Sequence, residues 1–222
     1  IYVGHDWGAI LVWQHALLNP HRVAALANLS VPFRGREPSE PVAFWEQMLG
    51  PDFYLVHFNR QPDVAARSFE RNPERTLRNL YRTKHWLDNH DRGSEGYSIV
   101  RSGEVDYQRG ELIHSEEDLQ LFVDAFTEGG FVAPCNWYRN FTRNWELTAD
   151  VEQKITQPAL MIYGDHDMVP PVDMSHRVAD LEVYSLPCGH WIQQEQPQET
   201  NRILLDWLER KAIPAMENPN VN

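Results

Sequence analysis

Apolar residues at the start of the chain fall into two runs of strand length with a helical pattern between them. Residues 1–3 predict a short buried strand, and apolar positions within residues 9–18 recur at the spacing of a helix. Asn19-Pro20 ends this helix, and residues 23–29 form the second apolar run. A helix between two wholly apolar strands is typical of a parallel sheet, so we expect an α/β fold.

The chain from residue 34 to residue 146 has a different pattern, polar throughout and rich in proline at first. We expect loops there, followed by short helices and one exposed loop. The helices are predicted at residues 73–85, 115–129 and 136–145, and the exposed loop at residues 93–110. Ser115 precedes three acidic residues, which is typical of a helix start. We interpret residues 34–146 as a helical cap inserted between two strands of the sheet.

The α/β pattern returns after the cap. Strands are predicted at residues 158–163 and 182–186, and helices at residues 173–181 and 197–211, with a polar, frayed tail after Pro214. The sequence therefore predicts the first part of a core domain, a cap, and the second part of the core. These lie at residues 1–33, 34–146 and 147–222.

The start of the chain is unusual because it enters its first strand without a Met or a polar lead-in. We expect further strands of the same sheet to precede residue 1, supplied by a longer form of this polypeptide or by a second chain. Without them, residues 1–3 would leave an inner edge of the sheet open, which is an aggregation hazard.

Composition narrows the partners. Twenty Lys and Arg against 32 Asp and Glu give a net charge of −12, which repels a phosphate backbone and argues against a nucleic-acid partner. The apolar runs are shorter than the ~20 residues of a membrane span, and no targeting signal is evident, so we expect a cytoplasmic protein. Cys135 and Cys188 are predicted to be free thiols, and no metal-ligand spacing is present.

Residues 4–8, Gly-His-Asp-Trp-Gly, lie between the first strand and the first helix. They match the G-x-nucleophile-x-G pattern of a nucleophile elbow, with Asp6 as the nucleophile. Such a turn is tight and strained, so its flanking residues Gly4 and Gly8 are expected to be small to let strand and helix pack closely. The start of the helix would also favour an ionised carboxylate.

A nucleophilic carboxylate needs a base to complete its cycle. His190 follows the last predicted strand, and Asp165 and Asp167 follow the strand before it. Nucleophile, acid and His in this order is the triad order of α/β-hydrolases. Asp167 lies later in its loop and is favoured as the acid, whereas Asp165 is expected to stabilise the turn.

The elbow with Asp, the cap, and the run Asn-Trp-Tyr-Arg-Asn at residues 136–140 resemble the α/β-hydrolase-fold epoxide hydrolases. The resemblance covers residues 2–208. It implies an α/β-hydrolase fold, with a mostly parallel sheet, helices on both faces, a helical lid, and N-terminal strands missing from this chain. In that family two lid tyrosines hold the epoxide oxygen; Tyr138 matches the second, and Tyr54 matches the first through a looser motif.

The resemblance implies a two-step mechanism without a cofactor, acting on a small hydrophobic epoxide and water. Asp6 attacks a ring carbon while Tyr54 and Tyr138 stabilise the oxygen, and His190, held by Asp167, then activates water to hydrolyse the alkyl ester. The backbone N–H of Trp7 is expected at the oxyanion. Two further residues are expected to border the substrate, namely Val169 and Trp191.

One feature departs from the family pattern, and two alternatives stay open. Such enzymes carry an upstream His-Gly-x-Pro turn that supplies a second oxyanion donor, and this chain has none. The Asp elbow is shared with haloalkane dehalogenases, in which Trp7 would bind a halide, but paired lid tyrosines favour an epoxide. A non-catalytic ligand-binding protein of this fold, or an inactive fragment, is the alternative of a different class.

Overall fold

The chain forms two compact units in the computed structural model, which describes residues 1–83, 99–104 and 110–217. The first unit comprises Ile1–Arg36 together with the chain from Asp150 onward, and the second comprises Glu37–Ala149. Most of the loop expected at residues 93–110, the last two residues of the helix expected at residues 73–85, and the last five residues of the chain lie outside the described residues. That helix ends earlier than predicted, at Leu80, because residues 81–83 are described and are not helical.

The chain begins with a strand–helix–strand segment, continues through a set of short helices, and ends with two strands followed by helices. In the first unit's opening part they are β1 (Tyr2–His5), α1 (Trp7–Leu18), a 3₁₀ turn (Pro20–Arg22) and β2 (Leu26–Leu29). The second unit contains α2 (Pro41–Leu49), α3 (Tyr54–Arg60), α4 (Pro62–Glu70), α5 (Pro73–Leu80), a 3₁₀ turn (Ile99–Arg101), α6 (Glu116–Gly129), α7 (Val132–Asn136), a 3₁₀ turn (Trp137–Asn140) and α8 (Phe141–Leu147). The first unit resumes with β3 (Ala159–Gly164), β4 (Leu181–Leu186), α9 (Ile192–Glu195), α10 (Pro197–Trp207), a π-helical turn (Leu208–Ala212) and α11 (Ile213–Glu217).

The described strands form one parallel sheet in the order β1-β2-β3-β4. Every residue of β2 and β3 is buried, and all of them except Asn28 are apolar, aromatic or glycine, as expected of inner parallel strands. The first strand was expected to be buried as well, but Ile1, Tyr2 and Val3 are exposed, where β1 forms one edge of the described sheet. The expected α/β fold is confirmed. Because all four strands run the same way, the loops that follow them emerge at one edge of the sheet.

Apolar side chains pack on both faces of this sheet. Leu26 of β2 lies in a cluster with Trp13 of α1, whereas its neighbour Ala27 lies in a second cluster with Ile203 and Trp207 of α10. Adjacent strand residues thus point to opposite faces, as the pleat requires. The two clusters fix α1 and α10 on opposite sides of the strands that carry the site.

The prediction of a helix at residues 173–181 is wrong. The chain there makes one turn, in which the amides of Arg177 and Val178 both donate to the carbonyl of Met174, and then extends. Val178 pairs as a parallel bridge with Ile155, whose amide donates to Arg177 at 2.7 Å. This tertiary pairing overrides the local helical pattern, because it satisfies backbone groups that a helix would otherwise use internally.

The helix expected to end at residue 211 continues further than predicted. A π-helical turn, Leu208–Ala212, follows α10 and leads into α11, so residues up to Glu217 are helical rather than a frayed tail. Pro214 has no N–H and removes one helical hydrogen bond, and the wider turn just before it lies where such a defect is commonly absorbed.

Much of the proline-rich start of the second unit is helical, at residues 41–49, 54–60 and 62–70, which corrects the expectation of loops there, whereas Pro38 and Pro51 do lie outside helices. Pro41, Pro62 and Pro73 each occupy the first position of a helix, where the missing N–H costs nothing. The Ser115 cap predicted for α6 is confirmed, since its hydroxyl accepts the amide of Asp118 at 3.0 Å. In the described parts of the chain, none of the helices combines the length and the apolar character that a membrane crossing needs.

Candidate active site

Asp6 is the single residue between the end of β1 and the start of α1. Its φ of 53° lies in the left-handed region, which is rare for a residue other than glycine and marks a strained turn. Its Oδ2 accepts the backbone N–H of Trp7 at 2.6 Å. The strain and the short hydrogen bond hold the carboxylate at the tip of the turn, beside the positive end of α1.

The two glycines of the elbow have different reasons for being there. A side chain at Gly4 would collide with the backbone of Gly8 and Ala9, so the close strand–helix packing expected from the motif does require glycine at this position. A Cβ at Gly8 would meet no described atom within 4 Å, so the same argument is wrong for Gly8.

His190 lies between two carboxylates. Its Nε2 is 3.1 Å from Oδ1 of Asp6, and its Nδ1 is 3.0 Å from Oδ2 of Asp167. Asp6 follows β1, Asp167 follows β3 and His190 follows β4. Because these strands are parallel, their carboxyl ends lie at the same edge of the sheet. Gly164 allows this approach, because a side chain there would collide with the carbonyl of Gly189 beside the histidine.

The structure places Asp167 rather than Asp165 against the histidine. The Asp167 side chain is only 1% exposed, and its Oδ1 also accepts the amide of Val169 at 3.1 Å. Asp165 is exposed and accepts a hydrogen bond from the hydroxyl of Ser185 on β4. Val169, expected beside the substrate, thus supports the acid through its backbone.

Charge and burial act in opposite directions on His190. Burial by itself lowers the pKa of the imidazole, but hydrogen bonds and charge from Asp167 and Asp6 outweigh it and raise the pKa of His190 well above its usual range. For Asp6, partial burial raises the pKa, yet the hydrogen bond and charge of His190 hold the pKa below its ordinary value. The two carboxylates therefore favour the protonated imidazolium in the resting site.

Three residues around His190 were not identified from the sequence. His5 Nε2 lies 2.8 Å from the carbonyl oxygen of His190, and the hydroxyl of Ser30 donates to the same oxygen at 2.9 Å. The carboxylate of Glu195 accepts the amides on either side of His190, from Gly189 at 2.9 Å and Trp191 at 3.1 Å. His5 lies within the elbow motif, so its place was open to inspection, whereas Ser30 gives no local signal.

Trp7 and Trp191 lie near the triad in different ways. The amide of Trp7 contacts the nucleophile directly, as expected for an oxyanion donor, since it already holds Oδ2 of Asp6. The ring of Trp191 packs edge-on against the ring of His190, with centroids 5.1 Å apart. The ring of Trp191 also lies 5.6 Å from the ring of His5.

Tyr54 and Tyr138 belong to the second unit, where they are neighbours. Their ring centroids lie 6.0 Å apart, and both rings pack edge-on against Phe58. Asn59, on the helix that begins at Tyr54, donates to the carbonyl of Tyr138 at 2.8 Å. The packing and this hydrogen bond join α3 to the 3₁₀ turn that carries Tyr138.

The two cysteines, both among the described residues, show no arrangement of this kind. Cys135 and Cys188 are free and buried, as the sequence predicted, and burial raises the pKa of each thiol to about 12. Neither thiol is therefore poised as a nucleophile. Within residues 1–83, 99–104 and 110–217, no cluster of three or more His, Cys, Asp or Glu side chains is arranged to hold a metal ion.

The chain is similar to known proteins in sequence and in fold. The profile of a family described as "alpha/beta hydrolase fold" matches residues 1–197. The chain is 35% identical to bifunctional epoxide hydrolase 2 of Sus scrofa, over 96% of this chain and 39% of that protein. It is also 35% identical to epoxide hydrolase A of Mycobacterium tuberculosis, over 94% of this chain and 68% of that protein.

A solved structure agrees with the sequence matches. The crystal structure of epoxide hydrolase A from Mycobacterium thermoresistibile superposes with a TM-score of 0.83 at 34% identity, and covers 94% of this chain and 69% of that one. The chain thus spans about two fifths of the pig protein and about two thirds of the mycobacterial ones. It belongs to the α/β-hydrolase-fold family, among the epoxide hydrolases.

Proposed function

We propose that this chain carries the catalytic centre of an enzyme that hydrolyses an epoxide to a vicinal diol through an alkyl ester on Asp6. The observation that carries the proposal is the position of the His190 ring, 3.1 Å from Asp6 and 3.0 Å from Asp167. A nucleophile, a base and an acid in this sequence and geometry suit two-step covalent hydrolysis. The relatives named epoxide hydrolases supply the substrate class.

The first step is alkylation of Asp6. The pKa of Asp6 lies below its ordinary value, so the carboxylate is ionised at neutral pH and its Oδ1 can attack an oxirane carbon. The carbon–oxygen bond of the ring breaks and leaves an alkoxide. We propose that the hydroxyls of Tyr54 and Tyr138 both donate hydrogen bonds to this oxygen and that one of them transfers its proton to it and becomes a tyrosinate, since a free alkoxide is too basic to persist without stabilisation.

The second step is hydrolysis of the ester. Esterification removes the negative charge of Asp6, which is one of the two groups that raise the pKa of His190. The imidazolium can then give up its proton, through solvent, to the tyrosinate left by the first step, and the neutral imidazole can accept a proton from water at Nε2, while Asp167 holds Nδ1. Hydroxide adds to the ester carbon, and the Trp7 amide stabilises the oxyanion on Oδ2. Collapse releases the diol and restores the carboxylate.

The proposal is tested by turnover of styrene oxide by the natural protein and by its Asp6→Ala variant. We expect styrene glycol from the natural protein and none above the uncatalysed rate from the variant, because no other group of the described residues is positioned to form the ester. Asp165→Ala, in the loop after β3, is the matched control and should keep its activity. Undiminished turnover by Asp6→Ala would exclude the covalent route.

A haloalkane of matched size separates this function from dehalogenation. The paired tyrosines of the second unit favour an epoxide, because a departing halide is a stable anion that needs no proton. We therefore expect release of diol from styrene oxide and no release of halide from 1-bromo-2-phenylethane. Halide release at a comparable rate would favour a haloalkane dehalogenase.

A further inference from the structure

His5 joins the nucleophile elbow to the loop that carries the base. It is the last residue of β1, directly before Asp6, and its Nε2 lies 2.8 Å from the carbonyl oxygen of His190. A carbonyl oxygen can only accept a hydrogen bond, so Nε2 carries the proton and donates. His5 therefore links the backbones of the two residues, to Asp6 by a peptide bond and to His190 by a hydrogen bond.

The His5 ring also packs against the aromatic side chains of the base loop. Its centroid lies 4.9 Å from the ring of His190 and 5.6 Å from the ring of Trp191. Burial, and next the positive charge of His190, hold the pKa of His5 below its ordinary value. His5 is therefore the neutral member of this histidine pair, and it can lie beside an imidazolium without charge repulsion.

Ser30 and Glu195 also hold the backbone around His190. Ser30 donates to the same carbonyl as His5, from a buried position at the end of β2 with a φ of 66°. Glu195 accepts the amides of Gly189 and Trp191. Ser30 and Glu195 anchor the base loop to β2 and to α9, whereas His5 anchors it to the turn of the nucleophile.

We propose that His5 is a positioning residue that keeps Nε2 of His190 in line with Asp6 by donating to the His190 carbonyl. The inference rests on the proposed function, because it gives His5 a role in only one of the two chemical steps. His190 acts as a base in hydrolysis, whereas alkylation needs only the Asp6 carboxylate and the ring oxygen's donors. A displaced His190 should thus slow hydrolysis and leave alkylation nearly unchanged.

The experiment compares His5→Phe, His5→Asn and His5→Gln in the natural protein. Phe keeps an aromatic ring without a donor, Asn carries an amide too short to reach the carbonyl, and Gln places an amide N–H near the position of Nε2. Single-turnover reactions with styrene oxide are quenched at intervals, ester on Asp6 is quantified by mass spectrometry, and diol is measured separately. His21→Phe, an exposed histidine of the first unit, is the control.

For Phe and Asn we expect hydrolysis to be slower by about 10- to 100-fold, the scale of a small misplacement of a reacting group, with alkylation within about threefold of the natural protein. Ester should then accumulate. Gln should restore hydrolysis to within about fivefold. A residue that merely stabilised the fold would slow both steps together and would not distinguish Asn from Gln.

Each other outcome contradicts the inference. Natural rates of hydrolysis in Phe or Asn, equal losses in both steps, or a Gln variant as slow as Asn would each overturn it. If the Phe variant does not fold, the comparison of Asn with Gln decides. A natural protein that forms no ester would instead overturn the proposed function, so the two failures are distinguishable.

Discussion

Nε2 of His190 lies 3.1 Å from Oδ1 of Asp6, so the residue proposed as the base is paired with the proposed nucleophile before any substrate reacts. The contact makes the protonation of His190 depend on the charge of Asp6. While the carboxylate is free, the imidazolium is favoured; once the carboxylate becomes an ester, that support is lost. In the proposed mechanism, the charge of Asp6 thus determines when His190 becomes available as a base.

Replacing Asp6 by Asn should lower the pKa of His190. The neutral amide no longer favours the imidazolium by charge, whereas Asp167 still does, so the pKa should fall but stay under the influence of one carboxylate. Histidine-selective NMR titration of the natural protein and of Asp6→Asn measures the change. Asp165→Asn is the control and should leave the titration of His190 unmoved. An unchanged pKa in Asp6→Asn would show that the pair is not electrostatically coupled.

The two chemical steps should respond differently to acid. Alkylation needs ionised Asp6, and because the pKa of Asp6 is lowered, its rate should stay flat down to about pH 4. Hydrolysis needs neutral His190, so its rate should fall about tenfold per pH unit below the pKa of His190 in the ester. Rapid-quench measurements from pH 4 to pH 9 should show ester accumulating as the pH falls. Parallel acid limbs for both steps would contradict this assignment.

His190→Gln should trap the intermediate. The first step needs no base, so Asp6 should still be alkylated, whereas the second step lacks a group to accept the proton of water. Mass spectrometry after incubation with styrene oxide should show the protein heavier by one substrate mass, with the adduct on the peptide that contains Asp6. A folded variant that binds substrate but gains no mass would remove His190 from the role of hydrolytic base.

Asp167→Asn and Asp165→Asn form a matched pair on one loop. Asp167 contacts Nδ1 of His190 and is buried, whereas Asp165 is exposed and bonded to Ser185. An amide at residue 167 supports the wrong tautomer and removes a charge, so we expect hydrolysis to slow by roughly 10³–10⁴-fold, by analogy with triad acids. The variant at residue 165 should stay within about threefold. A larger loss at residue 165 than at 167 would reverse the assignment of the acid.

Local signals in the sequence explain why the triad order and the core strands were predicted. β2 and β3 are buried at every position, and all of their residues except Asn28 are apolar, aromatic or glycine. Burial on both faces therefore produces a nearly continuous apolar run that the sequence shows directly. The elbow is likewise contained in five consecutive residues, because a sharp turn between strand and helix is a local structure. What such signals predict is which residues share one edge of the sheet.

Contacts between distant parts of the chain could not be predicted in this way. Ser30 and His190 are 160 positions apart, and nothing near either residue indicates their hydrogen bond. The bridge of Ile155 with Val178 likewise replaced an expected helix by extended chain. The prediction of loops around the prolines failed for another reason, because proline can start a helix as readily as interrupt one. At Pro41 the helix start is capped by the side chain of Glu40, a contact that is seen only in the structure.

Tyr138→Phe tests whether the substrate is an epoxide rather than a haloalkane. The change removes a phenolic donor and keeps the ring that packs against Phe58. Loss of one donor to a developing alkoxide should slow alkylation by about 10²–10³-fold, or roughly 2–4 kcal/mol, by analogy with oxyanion donors. Single-turnover alkylation with styrene oxide measures the effect. Tyr81→Phe is the control in the same unit, where Tyr81 packs against His114 and Phe122.

The double variant with Tyr54→Phe sharpens the same test. Both hydroxyls are proposed to serve one oxygen, so the double loss should exceed either single loss but fall short of their product. In a dehalogenase the same substitutions would be nearly silent with a haloalkane, since the halide departs without a proton. An alkylation rate for Tyr138→Phe within about threefold of the natural protein, roughly 0.6 kcal/mol, would show that this tyrosine does not stabilise the alkoxide, whatever the triad does.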